Sequence, residues 1–127
     1  MASCVFVSFA GYPYTPSSLC PDNGLGVLAA ILRAAGHDVR VLDFGTVDTM
    51  RRLYPPELSQ RAAPIVMELA SDPSRPSPSL VQELAKLDAE LEAVQAKVTQ
   101  ELAREIAVEI KSLSPAAVGF KLWNGDG

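Results

Sequence analysis

From Ser79 to Leu113 the chain contains neither glycine nor proline, and this uninterrupted stretch limits the fold more than any other feature. Its apolar residues begin at coiled-coil spacing, with Leu80, Leu84, Leu87, Leu91, Val94 and Val98 alternating by four and three. Leu102, Ile106 and Ile110 follow at steps of four, so the stripe drifts around the helix. Such a helix would be roughly 50 Å long at about 1.5 Å per residue. A small three-strand domain needs less. The outer part is expected to pack on another helix of the chain, on another subunit, or on a further domain.

The chain around this helix alternates strands and helices. Cys4 to Phe9 is mostly β-branched or aromatic and reads as a strand. Asp22 or Asn23 can cap the helix that follows, where Leu25, Leu28, Ala29 and Leu32 recur at helical spacing. Gly36 is placed to close that helix in the left-handed conformation. A second strand, VRVLDF, ends near Phe44 and completes a right-handed parallel βαβ unit. Thr46 to Tyr54 forms a short helix ahead of Pro55 and Pro56, and Glu57 to Ala70 forms another that Pro64 is expected to disturb. The proline-rich SDPSRPSPS is a linker or turn. Ser114-Pro115 ends the long helix, and Ala117 to Trp123 reads as a third strand.

The expected fold is therefore α/β: a partial flavodoxin-like or Rossmann-like three-layer domain, with parallel strands in the order 2-1-3. It divides into a βαβ unit at 1–45, a helical insertion at 46–114 and a third strand with its closing loop at 115–127. The closing AAVGFKLWNGDG looks like a buried strand running into a loop. The expectation is that the chain is the N-terminal part of a longer protein.

Charge and cysteine content narrow the function classes. A net charge of −4 is not the basic footprint of a nucleic-acid binder, so no nucleic-acid partner is expected. Two cysteines, Cys4 and Cys20, are too few for a disulfide framework or a four-thiolate metal site, and Cys4 is expected to be a buried free thiol. MASCVFVSF lacks a positive region before its apolar run and no run is long enough to span a bilayer, so a cytoplasmic protein with no membrane partner is expected. The sole histidine, His37, follows Gly36 at the edge away from the strand carboxyl ends, where a solvated connector is expected. The carboxylates of the long helix are spaced beside lysines and arginines as on a solvated face. No H-E-x-x-H, nucleophile elbow or P-loop occurs, so no catalytic residue and no metal ligand is assigned.

Gly24-Leu25-Gly26-Val27-Leu28-Ala29 spells G-x-G-x-x-A, and Asp43 stands near a strand end beyond it, as in dinucleotide-binding folds. The fingerprint requires its first glycine directly after the strand, whereas a long loop separates Phe9 from Gly24. The simpler reading is close helix-to-sheet packing through Gly24 and Gly26. Three segments converge at the carboxyl edge of the sheet: Tyr12 to Asn23, Phe44 to Val47, and Trp123 to Gly127. There Tyr12, Tyr14 and Trp123 can supply apolar surface, while Ser17, Ser18, Asn23 and Asn124 can supply hydrogen bonds. Leu19, Cys20 and Gly24 complete the candidate binding set.

PSSLCPDNGLGVLAAILRAAGHDVRVLDFGT resembles the opening of the cobalamin-binding domains fused to radical S-adenosylmethionine enzymes. The match lies in Pro21 to Leu32, in Gly36-His37-Asp38-Val39 and in Val41-Leu42-Asp43, and VGFKLWN resembles the third strand of those domains. It covers about residues 3–45 and 115–124. The resemblance implies a flavodoxin-like domain holding cobalamin (B12) against the carboxyl edge of its sheet, in a parent such as a methyltransferase. It also implies that the 4Fe-4S cluster and S-adenosylmethionine belong to a radical domain elsewhere in the parent chain, since the C-x-x-x-C-x-x-C triad is absent here. Relatives of the methionine-synthase kind carry D-x-H-x-x-G in the first loop, and no histidine stands between Phe9 and Gly26. Cobalamin is thus expected without a histidine ligand from the protein, with Cys20 able to approach its lower face but more simply read as packed in the loop, and with weak or absent binding in this chain alone. The alternative is a structural or interaction module that self-associates through helix 79–113 or an exposed sheet edge as a homodimer.

Overall fold

The computed structural model describes residues 1–9 and 23–121. Three strands, β1 (Ser3–Ser8), β2 (Asp38–Asp43) and β3 (Ala117–Phe120), form one parallel sheet in the order β2-β1-β3. Four helices complete the described elements: α1 (Asn23–Ala34), α2 (Val47–Leu53), α3 (Pro56–Ser71) and α4 (Pro78–Leu113). The α/β class, the strand order and the long helix between the second and third strands are as the sequence predicts. No described helix is long and apolar enough to cross a membrane.

The chain divides into two compact units, Met1–Met50 with Ala103–Gly127, and Arg51–Leu102. In the first, β1 pairs with β2 from Ser3↔Asp38 to Ser8↔Asp43, and with β3 from Cys4↔Ala117 to Val7↔Phe120. Alternation along β1 sends Val5 and Val7 to one face, where each is 1% exposed and packs with Ile106. Leu42, Phe44, Phe9, Ile110 and Leu113 surround that cluster. The register puts Val39 on the opposite face beside Cys4. Here α1 lies against β2, with Ala29 and Val39 both buried. Fully burying a side chain such as Val5 contributes about 1.5–3 kcal/mol relative to leaving it exposed.

The ends of α1 show why the βαβ turn closes. Gly36 has φ +85°, its N–H bonds the Arg33 carbonyl, and the His37 N–H reaches back to the Leu32 carbonyl. This is the Schellman arrangement, and it needs a residue free to enter the left-handed region. His37 differs from the expected solvated connector: it is half-buried, and its Nδ1 accepts the Ala2 N–H at 3.2 Å. The imidazole thereby ties the chain's start to the amino edge of the sheet. Cys4 also departs from expectation, being half-buried rather than buried.

In the second unit α3 and α4 bury a common stripe. Leu58, Ile65 and Leu87 form its centre, flanked by Ala62, Leu69, Leu80, Leu84, Leu91 and Val94. The leucine stripe of α4 is thus taken up by α3. Pro56 sits in the first turn of α3, where its missing N–H has no helical partner to lose. Pro64 lies inside α3 without ending it. Arg52–Glu101 at 3.4 Å, half-buried, and Arg61–Glu90 at 3.0 Å, exposed, add ion pairs that contribute at most about 1 kcal/mol each.

Helix α4 ends at Ser114, whose φ of 45° is unusual for a residue with a side chain. Its N–H and hydroxyl bond the Ile110 and Lys111 carbonyls, which holds this conformation before Pro115.

Gly119 supplies the sharpest packing constraint in the sheet. It pairs with Phe6, and a Cβ there would stand 2.6 Å from Cδ1 of the Phe6 ring. Gly119→Ala is expected to destabilise the chain by about 1–3 kcal/mol. Urea unfolding checks this, and the loss should shrink when the same change is made in a Phe6→Leu background. Equal losses in both backgrounds would show that the ring is not the obstacle.

Candidate functional site

Connectivity fixes which groups gather at the carboxyl edge of the sheet. Strand β1 delivers Ser8 and Phe9, β2 delivers Asp43 to Thr46, and β3 delivers Lys121. The ladder continues past the strands, with Phe44 N–H donating to the Ser8 carbonyl at 2.8 Å and Lys121 N–H to the Val7 carbonyl at 3.0 Å. Because α1 runs back antiparallel to β1, it starts at this same edge. Its 12 residues span about 18 Å, close to the roughly 20 Å of a six-residue strand, so one helix returns the chain across the sheet.

This edge coincides with the topological switch point of the sheet. From β1 the chain steps by way of α1 to β2 on one side, and from β2 it returns by way of α4 to β3 on the other. Open α/β sheets bind ligands in the crevice left where such connections diverge.

The local chemistry of the edge comes from the D-F-G-T stretch. Asp43 Oδ1 accepts the Gly45 N–H at 2.9 Å, which folds the chain into an Asx turn. The other carboxylate oxygen remains available on an exposed residue. Thr46 then caps α2, its Oγ1 accepting the Thr49 N–H at 3.3 Å and lying 3.1 Å from the Thr49 hydroxyl. Thr49 itself is 5% exposed, so its hydroxyl needs that partner. Phe9 and Phe44 point into the core instead, packed around Val5, Val7 and Ile106. The described edge is therefore a polar rim over an aromatic base.

Of the candidate binding residues, Asn23 and Gly24 are the first two residues of α1, and both are exposed at this edge. Tyr12, Tyr14, Ser17, Ser18, Leu19, Cys20, Trp123 and Asn124 lie outside the described residues. Asp43 and Thr46 were not in the candidate set. Their signal was present in the sequence, as an Asp two residues before a Gly and a Thr three before a second Thr. The pattern identifies a turn and a cap, but it takes the strand order to place them beside α1.

The glycine pattern resolves differently from either sequence reading. Gly24 and Gly26 lie inside α1, not in a strand-to-helix turn. Gly26 is exposed and a Cβ on it would meet nothing within 4 Å, so close helix-to-sheet packing is not its role either. Among the described residues no three His, Cys, Asp or Glu side chains gather as a metal site. Comparison with family models, with curated proteins and with solved structures finds no match to this chain.

The cap makes a direct prediction. Thr46→Ala should cost about 1 kcal/mol, because a seven-residue helix cannot tolerate an unsatisfied first turn, whereas Thr46→Ser should retain most of it. Urea midpoints distinguish the two, and equal losses would assign the effect to the methyl group.

Proposed function

We propose that the sheet's carboxyl edge is one wall of a cobalamin site, and that the chain is the N-terminal part of a cobalamin-binding domain in a radical S-adenosylmethionine protein such as a methyltransferase. The observation that supports this most is the switch point itself: a 2-1-3 parallel sheet whose central strand opens onto a polar rim and the start of α1. The resemblance across residues 3–45 and 115–124 gives that edge its ligand class. Cobalamin, when bound, supplies a cobalt centre able to carry a methyl group.

The residues present fit such a ligand in character. Asp43 and Asn23 offer hydrogen bonds to amide-bearing side arms, and Gly24 and Gly45 leave the backbone accessible where a bulky ring must approach. Phe9 and Phe44 exclude water from beneath the rim by filling the core. The chain's part in this reading is to bind and orient, with the 4Fe-4S cluster and S-adenosylmethionine held by a radical domain of the parent protein, in the cytoplasm.

Titration with hydroxocobalamin, followed by its visible spectrum, tests the proposal. Any binding by this chain alone is expected to be weak, and where it saturates at one site per chain it should be weakened several-fold by Asp43→Ala. A folded chain that leaves the spectrum unchanged up to about millimolar concentration would show that this edge forms no working pocket by itself, and a full-length parent protein that purifies without cobalamin and does not take it up would remove the reading.

A second reading, self-association, draws support from exposed apolar groups on the first unit. Val27 and Ile31 of α1 are each 59% exposed, and Phe120 of the β3 edge is 56% exposed. In that case sedimentation should detect a dimer that Ile31→Glu abolishes.

A further inference from the structure

The second unit contains a half-open cavity of about 510 Å3 between α3 and α4. Small-molecule sites typically occupy about 300–1,000 Å3. The space arises from the sequence: Ala62 and Ala85 stop at Cβ where the neighbouring Leu58, Leu84 and Leu91 are large, so the two stripes do not close on that side. Val81, 46% exposed, forms part of the lip.

One charge faces this apolar space. Asp88 lines the cavity from an exposed position and makes no ion pair among the described residues. Glu92 stands one turn further along α4, and Arg61 on the facing helix is held by Glu90. Ser59 adds a hydroxyl to the lining. An anionic ligand would meet uncompensated carboxylate, and a purely apolar one would find nothing to orient it. We propose that this cavity binds a small amphipathic amine, its aryl or alkyl body among Leu58, Leu84 and Leu91 and its ammonium on Asp88. The site lies within the second unit and does not depend on the cobalamin reading.

Three matched probes test it on the intact chain: 4-phenylbutylamine, 4-phenylbutan-1-ol and 4-phenylbutyrate, followed by calorimetry and by methyl NMR shifts of Leu58, Leu84 and Leu91. The amine should bind one per chain, about five-fold tighter than the alcohol, the advantage that an exposed ion pair supplies. The carboxylate should bind more weakly than both. Asp88→Asn should erase the preference for the amine without changing affinity for the alcohol, and Ala85→Leu should block all three while circular dichroism stays native. An alcohol that matches the amine, a preference that survives Asp88→Asn, or no binding by any probe would overturn the proposal.

Discussion

The first unit depends on β1 being paired on both sides and covered on both faces. A central strand satisfies every backbone group by pairing, and so can afford apolar side chains on both faces. Val5 and Val7 take up one face, and Cys4 and Phe6 point to the other. The glycine opposite Phe6 is the counterpart of this demand, because a Cβ on the β3 residue beside the ring would force the ring to shift. Once β1 is fixed, the carboxyl ends of all three strands must emerge together. The position of the candidate site is therefore a consequence of the core.

Helix α4 explains a pattern that coiled-coil spacing alone does not. Its early stripe, Leu80 to Val94, packs with α3, and its late residues, Ile106, Ile110 and Leu113, pack with the sheet core. Alternating steps of three and four suit a helix partner, and the later steps of four belong to the residues that pack on the sheet core of the first unit. The drift in the sequence marks a change of partner. Its C-terminal part also serves as the crossover helix between β2 and β3, so the insertion contains the ordinary connection.

Where the partner is local, the sequence was informative. Gly36 closing α1, the break at Pro55 and Pro56 between α2 and α3, and the β-branched and aromatic content of β1 each rest on local preferences, and each is read in the sequence. His37 and Gly26 are not. The first finds its partner 35 residues away at Ala2, which only the assembled sheet brings close. The second lies on an exposed side of α1, a fact set by how the helix rolls on β2. Asp43 and Thr46 fall between these cases: their turn and cap are local, but their place beside α1 follows from topology.

The rotation of α1 bears on what the first unit can do. Val27 and Ile31 lie on the side of the helix away from Ala29, given about 3.6 residues per turn, and that outward side carries no charged residue. Arg33, the sole charged side chain of α1, is occupied with the Val39 carbonyl at 2.6 Å and does not serve the outer surface. Amphipathic surface helices place charge there, and helices apolar all round are ordinarily buried. The α1 face is thus better suited to contact than to water, whereas the polar rim around Asp43 and Thr46 is better suited to a ligand. Both proposals for this unit follow from that division: a small molecule belongs at the end of the sheet, and a protein surface belongs on its flank. A substitution on one should leave the other intact. Ile31→Glu should therefore change association without changing the cobalamin titration, and Asp43→Ala should do the reverse.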